Sequence, residues 1–196
     1  MPNDLAALVG SRICHDLISP IGAIGNGVEL LALTNGDSSA EMALISESVN
    51  NANARIRFFR LAFGAADADQ SVSRAEIQSI LAAMATGGRL NYNWTIPTDA
   101  PRPLVRCAFL LLQCMETALP LGGDVDISTD GDDWLLRAEG SRVNIEHPLW
   151  DSLQTTAPDY AHSAAQVQFA MLPDVLGMAG RSLQIDHDAT QITARF

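Results

Sequence analysis

Residues 11–31 read SRICHDLISPIGAIGNGVELL, and the spacing of their apolar side chains sets the architecture around them. Cys14, Leu17, Ile21, Ile24, Val28 and Leu31 recur at intervals of 3, 4, 3, 4 and 3, the heptad seam of a long helix. His15 lies one step off that seam. Its own face carries Arg12, Ser19, Gly22, Asn26 and Glu29, with Gly25 beside it, so the imidazole is expected to point at solvent.

The residues that follow are unusual for a packing helix. Pro20 has no N–H to give the carbonyl of Asp16, and a kink is expected one turn beyond the histidine. Gly22, Gly25 and Gly27 each cost roughly 1 kcal/mol against alanine in a helix interior. Together they predict a bare strip of backbone that another protein can approach closely. Asp16 adjoins His15, and Arg12 precedes it by one turn, within reach of an anion carried on the imidazole.

Outward from this stretch, the first helix is expected to begin at Asn3 or Asp4 and to end before Asn35-Gly36. At about 1.5 Å per residue it makes a rod roughly 45 Å long. A turn at 34–39 leads to a second helix whose Met42, Ile45, Val49, Ala52, Ile56, Phe59 and Phe63 repeat the seam. Two such helices with a short connection form an antiparallel hairpin. A lone hairpin buries too little, so a second copy of the chain is expected to complete a four-helix bundle. The level of His15 on the second helix falls near Arg55, Arg57 and Arg60, which read either as a receiving surface for phosphate or acidic groups or as a solvated face.

The small, polar stretch 64–71 marks a boundary, giving expected domains at 1–66 and 72–196. Beyond it come a helix at 73–86, a period-2 strand at 89–96 and an apolar helix at 103–119. A hairpin follows around Asp130-Gly131-Asp132, then a helix at 164–178 interrupted at Pro173, and closing strands at 182–186 and 191–196. That order is an α+β layer of helices on a mainly antiparallel sheet.

Composition narrows the function classes. A net charge of −11 and a pI near 4.5 disfavour nucleic-acid and anionic-membrane surfaces. All twelve basic residues are arginine. Cys14, Cys107 and Cys114 show no C-x-x-C spacing and fit a reduced cytoplasm. No run of about 20 apolar residues and no leader pattern is read, so no membrane is expected. Asp186-His187-Asp188 would put its histidine on the opposite strand face from both carboxylates; with His147 and His162 lacking ligand spacing, no metal site is expected. No G-x-S-x-G supports a hydrolase.

His15, Asp16, Leu17 and Pro20 form H-D-L-x-x-P, which resembles the phosphoacceptor box of histidine kinases. The longer HDLISPIGAIGNGVELL and the later ALPLGG (118–123) resemble a narrower family, the ChpT-type histidine phosphotransferases of alphaproteobacterial phosphorelays, over nearly the whole chain. The resemblance implies a dimeric four-helix bundle followed by a degenerate histidine-kinase-like (GHKL or Bergerat type) α/β sandwich. His15 is then the phosphoacceptor. The implied partners are the receiver domain of a hybrid histidine kinase and those of response regulators.

Departures from the kinase pattern sharpen that expectation. The stretch Leu112-Gln-Cys-Met-Glu-Thr117 lacks the magnesium-holding asparagine, and Glu116 reads either as a remnant kinase acid or as an exposed surface carboxylate. No D-x-G-x-G lies between 124 and 165, and Ala165 and Val167 stand where lid glycines belong. No nucleotide and no cofactor of the chain's own are therefore expected, with Mg2+ supplied by the receiver. A non-catalytic dimeric adaptor and an autophosphorylating kinase core are the alternatives.

Overall fold

The computed structural model describes residues 4–33, 39–154 and 161–196. The Asn3 cap and the turn at 34–38 lie outside them. Asp4 starts the first helix, α1 (Leu5–Leu33), its Oδ1 accepting from the Ala7 N–H at 3.2 Å. α1 runs unbroken through Pro20, which is buried. The second helix, α2 (Ser39–Ala62), packs along it in the opposite direction: Gly27 lies on Ile45, while Asp16 lies beside Arg55.

The two heptad seams divide in a regular way. Leu17, Ile24 and Leu31 of α1 and Ile45, Ala52 and Phe59 of α2 are half-buried or buried. The alternate members, Cys14, Ile21 and Val28 on α1 and Met42, Val49 and Ile56 on α2, are exposed. One position per heptad closes the hairpin. The other forms an apolar stripe on its outside. α1 is by length and composition apolar enough to cross a membrane, although it contains no uninterrupted run of about 20 apolar residues. Its inner face is nevertheless occupied by α2, and it carries Arg12 and Asp16 as a close ion pair.

Three of the predicted elements after α2 fall almost where the periodicity put them. Ser73 caps α3 (Arg74–Ala85), its Oγ accepting from the Glu76 N–H at 3.2 Å. α3 turns Ile77, Ile80 and Leu81 inward. The apolar helix α4 (Arg102–Ala118) is buried on nearly every side, and α6 (Val167–Met178) continues through Pro173 where an interruption was expected. A single 3-10 turn at Ala164–Gln166 precedes α6. Three short elements were not foreseen: β1 (Ser71–Val72), which pairs with β3 (Ala100–Pro101), and the helix α5 (His147–Asp151).

The main sheet has the order β2-β4-β5-β7-β6, from β2 (Leu90–Trp94), β4 (Gly123–Asp130), β5 (Asp133–Glu139), β6 (Gln184–His187) and β7 (Gln191–Arg195). β2 and β4 run parallel and every other neighbour is antiparallel. Gly131, at φ +62, makes the tight turn between Asp130 and Asp133. Val125, Ile127, Leu136, Ala138, Ile192 and Ala194 form the buried face, in one core with α3, α4 and α6. The opposite face carries polar pairs such as Asn91–Asp124 (2.9 Å) and Asn93–Asp126 (2.7 Å).

The hairpin is not simply tethered to this layer. Phe58, Phe59, Leu61 and Ala62 of α2 belong to the same core, with Phe58 4.7 Å from Phe109 of α4 between ring centres. The buried Arg102 donates from Nη1 to the Leu61 carbonyl and from Nη2 to the Arg60 carbonyl, both at 2.7 Å, closing the C-terminal end of α2. The core therefore runs across the expected boundary at 64–71.

Candidate functional site

The outward face of α1 carries His15 with 86% of its side chain exposed, while its neighbour Asp16 is only 10% exposed. The imidazole Nδ1 lies 3.0 Å from Asp16 Oδ1. Arg12 Nε donates to the other carboxylate oxygen, Oδ2, at 2.8 Å, and Arg55 Nη1 stands 3.8 Å from the same atom. An ionised carboxylate only accepts, so the Nδ1 of a neutral His15 ring must hold the proton. Nε2 is then left with its lone pair, facing solvent. This is the arrangement of an activated nitrogen nucleophile.

Arg12 is fixed at two ends. Besides Asp16 it donates from Nη1 to the carbonyl of Ala165, in the 3-10 turn before α6, at 2.9 Å. Its side chain is 17% exposed, and the arginine expected within reach of an anion on the imidazole also bonds the chain itself, at Asp16 and at Ala165. Arg55 is steadied by Asn51, whose Oδ1 accepts from Nε at 3.0 Å. Beneath Asp16 and these arginines lies a small cavity of about 10 Å³, lined also by Tyr92, Gln113 and Glu116. Burial, reinforced by the nearby Glu116 charge, pushes the Tyr92 phenol above its ordinary range. Glu116 itself is part-exposed and lies 3.6 Å from Arg89.

Of the three α2 arginines singled out in the sequence, Arg55 comes to Asp16, the neighbour of His15. Arg57 donates to Ser79 Oγ of α3 at 3.3 Å, and Arg60 pairs with Glu76 of the same helix. They are drawn away because α3 packs on that side of α2. Ser19, Gly22, Gly25 and Asn26 are exposed on or beside the His15 face. A Cβ built at Gly22 or Gly25 meets nothing within 4 Å. Gly27 leaves the strip: its Cβ would stand 2.6 Å from Ile45 Cγ1, so this glycine serves the approach of α2. Ile18, 71% exposed, stands next to this face and was not singled out.

Sequence reasoning also missed the Ala165 carbonyl, Tyr92 and Gln113, which come to Arg12 and Asp16 only through the tertiary fold. No spacing signal marks a backbone acceptor 153 residues away from its donor. The histidines His147 and His187 come within 6.1 Å between ring centres, but among the described residues no three His, Cys, Asp or Glu side chains converge as metal ligands.

Residues 74–191 match the family model of the histidine phosphotransferase C-terminal domain. The chain belongs to the histidine phosphotransferase family. It is 33% identical over 184 residues to the protein phosphotransferase ChpT of Brucella abortus (strain 2308), covering 89% of this chain and 88% of that protein. A solved structure of a bacterial phosphotransferase superposes with a TM-score of 0.82 at 30% identity, over 100% of this chain and 96% of the other. That superposition takes in the helical hairpin of this chain as well as its sheet layer.

Proposed function

We infer that this histidine phosphotransferase works in a phosphorelay, carrying a phosphoryl group between receiver-domain aspartates on His15. The observation that carries the reading is the exposed ring whose Nδ1 is held by Asp16 and whose Nε2 is open. In the forward step the Nε2 lone pair attacks the phosphorus of an aspartyl phosphate in line. The new N–P bond forms as the P–O bond to the aspartate breaks, and that bond's electron pair leaves on the receiver carboxylate. The ring keeps its Nδ1 proton and becomes cationic, and the Asp16 carboxylate offsets that charge. Reversal of the same steps delivers the group to a second receiver. Mg2+ and the acidic pocket that neutralise the moving phosphoryl group belong to the receiver.

The exposed half of each heptad seam supports a homodimer with a four-helix bundle at its centre. Two copies of Cys14, Ile21, Val28, Met42, Val49 and Ile56 then cover one another, leaving each His15 outside. The open surface around Gly22, Gly25, Ser19 and Asn26 suits the docking of a receiver helix. The sheet layer is read as a kinase-like domain without nucleotide chemistry. Val167, where a lid glycine would bring backbone amides to a triphosphate, is fully buried. The setting is read as cytoplasmic.

Transfer is tested by offering radiolabelled phosphate on a receiver. The wild type should take label, and His15→Ala or His15→Gln should take none. Label retained on either variant would remove His15 from the reaction. A wild type that binds receivers but never takes label would make the protein an adaptor. Titration of ATP with magnesium in a calorimeter should give no heat of binding; micromolar affinity would revive the kinase reading.

A further inference from the structure

We propose that Arg12 is a positioning residue through which the C-terminal layer holds Asp16, and so keeps His15 in the tautomer that accepts phosphate; the proposal rests on the phosphotransfer reading above. Three observations converge on it. Arg12 bridges two parts of the fold, with Nε on Asp16 Oδ2 at 2.8 Å and Nη1 on the Ala165 carbonyl at 2.9 Å. Asp16 divides its oxygens, Oδ2 toward Arg12 and Oδ1 toward His15 Nδ1 at 3.0 Å. Arg12 and Asp16 are mostly buried while His15 is open, so the carboxylate's orientation is set from inside the protein.

The planar guanidinium is the only cationic side chain able to make both bonds at fixed angles. A lysine ammonium is a point charge on a flexible stem: it reaches the carboxylate or the carbonyl without fixing the angle between them. Once Oδ2 is released, Asp16 turns toward Arg55, already 3.8 Å away, and its Oδ1 leaves the imidazole. The ring then loses the acceptor that keeps the proton on Nδ1, and Nε2 takes the proton and ceases to be a nucleophile. Placed in this way, the layer that carries Ala165 contributes to the reaction without binding substrate. It holds the geometry of a side chain on another element.

The test compares the full-length wild type with Arg12→Lys and Arg12→Gln, using phosphoramidate, a small donor that needs no docking, and a phosphorylated receiver. Both variants should take label more slowly from both donors by the same factor, about tenfold or more for one lost charge-assisted hydrogen bond. Receiver affinity should stay within twofold of wild type. Nitrogen-15 NMR of His15 should show the Nδ1–H form in the wild type and a shift toward Nε2–H in both variants, a change that a merely structural role for Arg12 would not produce. Arg12→Lys labelling at the wild-type rate with an unchanged tautomer would overturn the brace, as would a loss confined to receiver affinity. Failure of the wild type to take label from either donor would instead sink the phosphotransfer reading, and the tautomer comparison would still judge the brace. Should a variant fail to fold, the wild type decides: the Arg12 Nε–H should exchange slowly with water, and rapid exchange contradicts the bridge.

Discussion

α4 and α1 are both long apolar helices, and they use their apolar residues in opposite ways. Every residue of α4 from Cys107 through Met115 is buried. On α1 only Pro20 and Gly27 are, while Ile18, Ile21, Val28, Leu30 and Leu33 stay exposed. The patterns differ before any packing is considered: α4 gathers its apolar residues into the central run Cys107–Leu112 with its charges, Arg102, Arg106 and Glu116, toward the ends, whereas α1 spreads a seam and a polar face along its whole length. A helix finished within its own chain supplies stability. One left unfinished offers its surface to other molecules, and His15, the proposed phosphoacceptor, sits on the second kind.

The sharpest way to break this contrast is to damage each helix. Phe109→Ala in α4 removes a fully buried ring that lies tilted against Phe58 and should cost about 3–5 kcal/mol in urea or thermal unfolding. A loss below about 1 kcal/mol would mean that the α4 core repacks freely. Ile21→Glu on α1 should instead leave the hairpin helical and turn the proposed dimer into monomers in analytical ultracentrifugation. A surviving dimer would put the second copy on another surface.

The glycines of α1 sharpen the comparison within one helix. Gly27→Ala drives a methyl against Ile45 and should destabilise by about 1–3 kcal/mol. Gly22→Leu points into open space and should leave the melting temperature unchanged or slightly raised, yet weaken receiver binding. Undiminished receiver affinity in that variant would withdraw this face as the docking surface.

The remaining effect vanishes at neutral pH. Burial pushes the Cys107 thiol up to about 12, and that of Cys114 well above its ordinary value. Between the unfolded thiol value near 8.5 and about 12, the unfolded chain has lost protons that the native one keeps, so stability should fall as pH rises through that window. Equal stability at pH 8 and pH 11 would show that these thiols are not buried as described.

Much of the fold was legible because its signals are local. The Ser73 cap, the Asp130-Gly131 turn and the heptads of the hairpin each declare themselves within a few residues. α5 was missed because five residues beginning His147-Pro148 carry no period, and β1 and β3 because two-residue strands exist only through their pairing. At the site, His15, Asp16 and the open glycines were readable from one helix face. Arg57 and Arg60 were misplaced because helix level was read without knowing that α3 would cover that side of α2. The bridge from Arg12 to Ala165 had no sequence signal at all, since a backbone carbonyl looks the same in every residue.

The central claim is that His15 carries the phosphoryl group on Nε2, with Nδ1 engaged by Asp16. Phosphorylated receiver mixed with nitrogen-15-labelled full-length protein should give a phosphorus-31 signal coupled to His15 Nε2 and absent in His15→Gln. Phosphate found on Nδ1, or on any other residue, would contradict it.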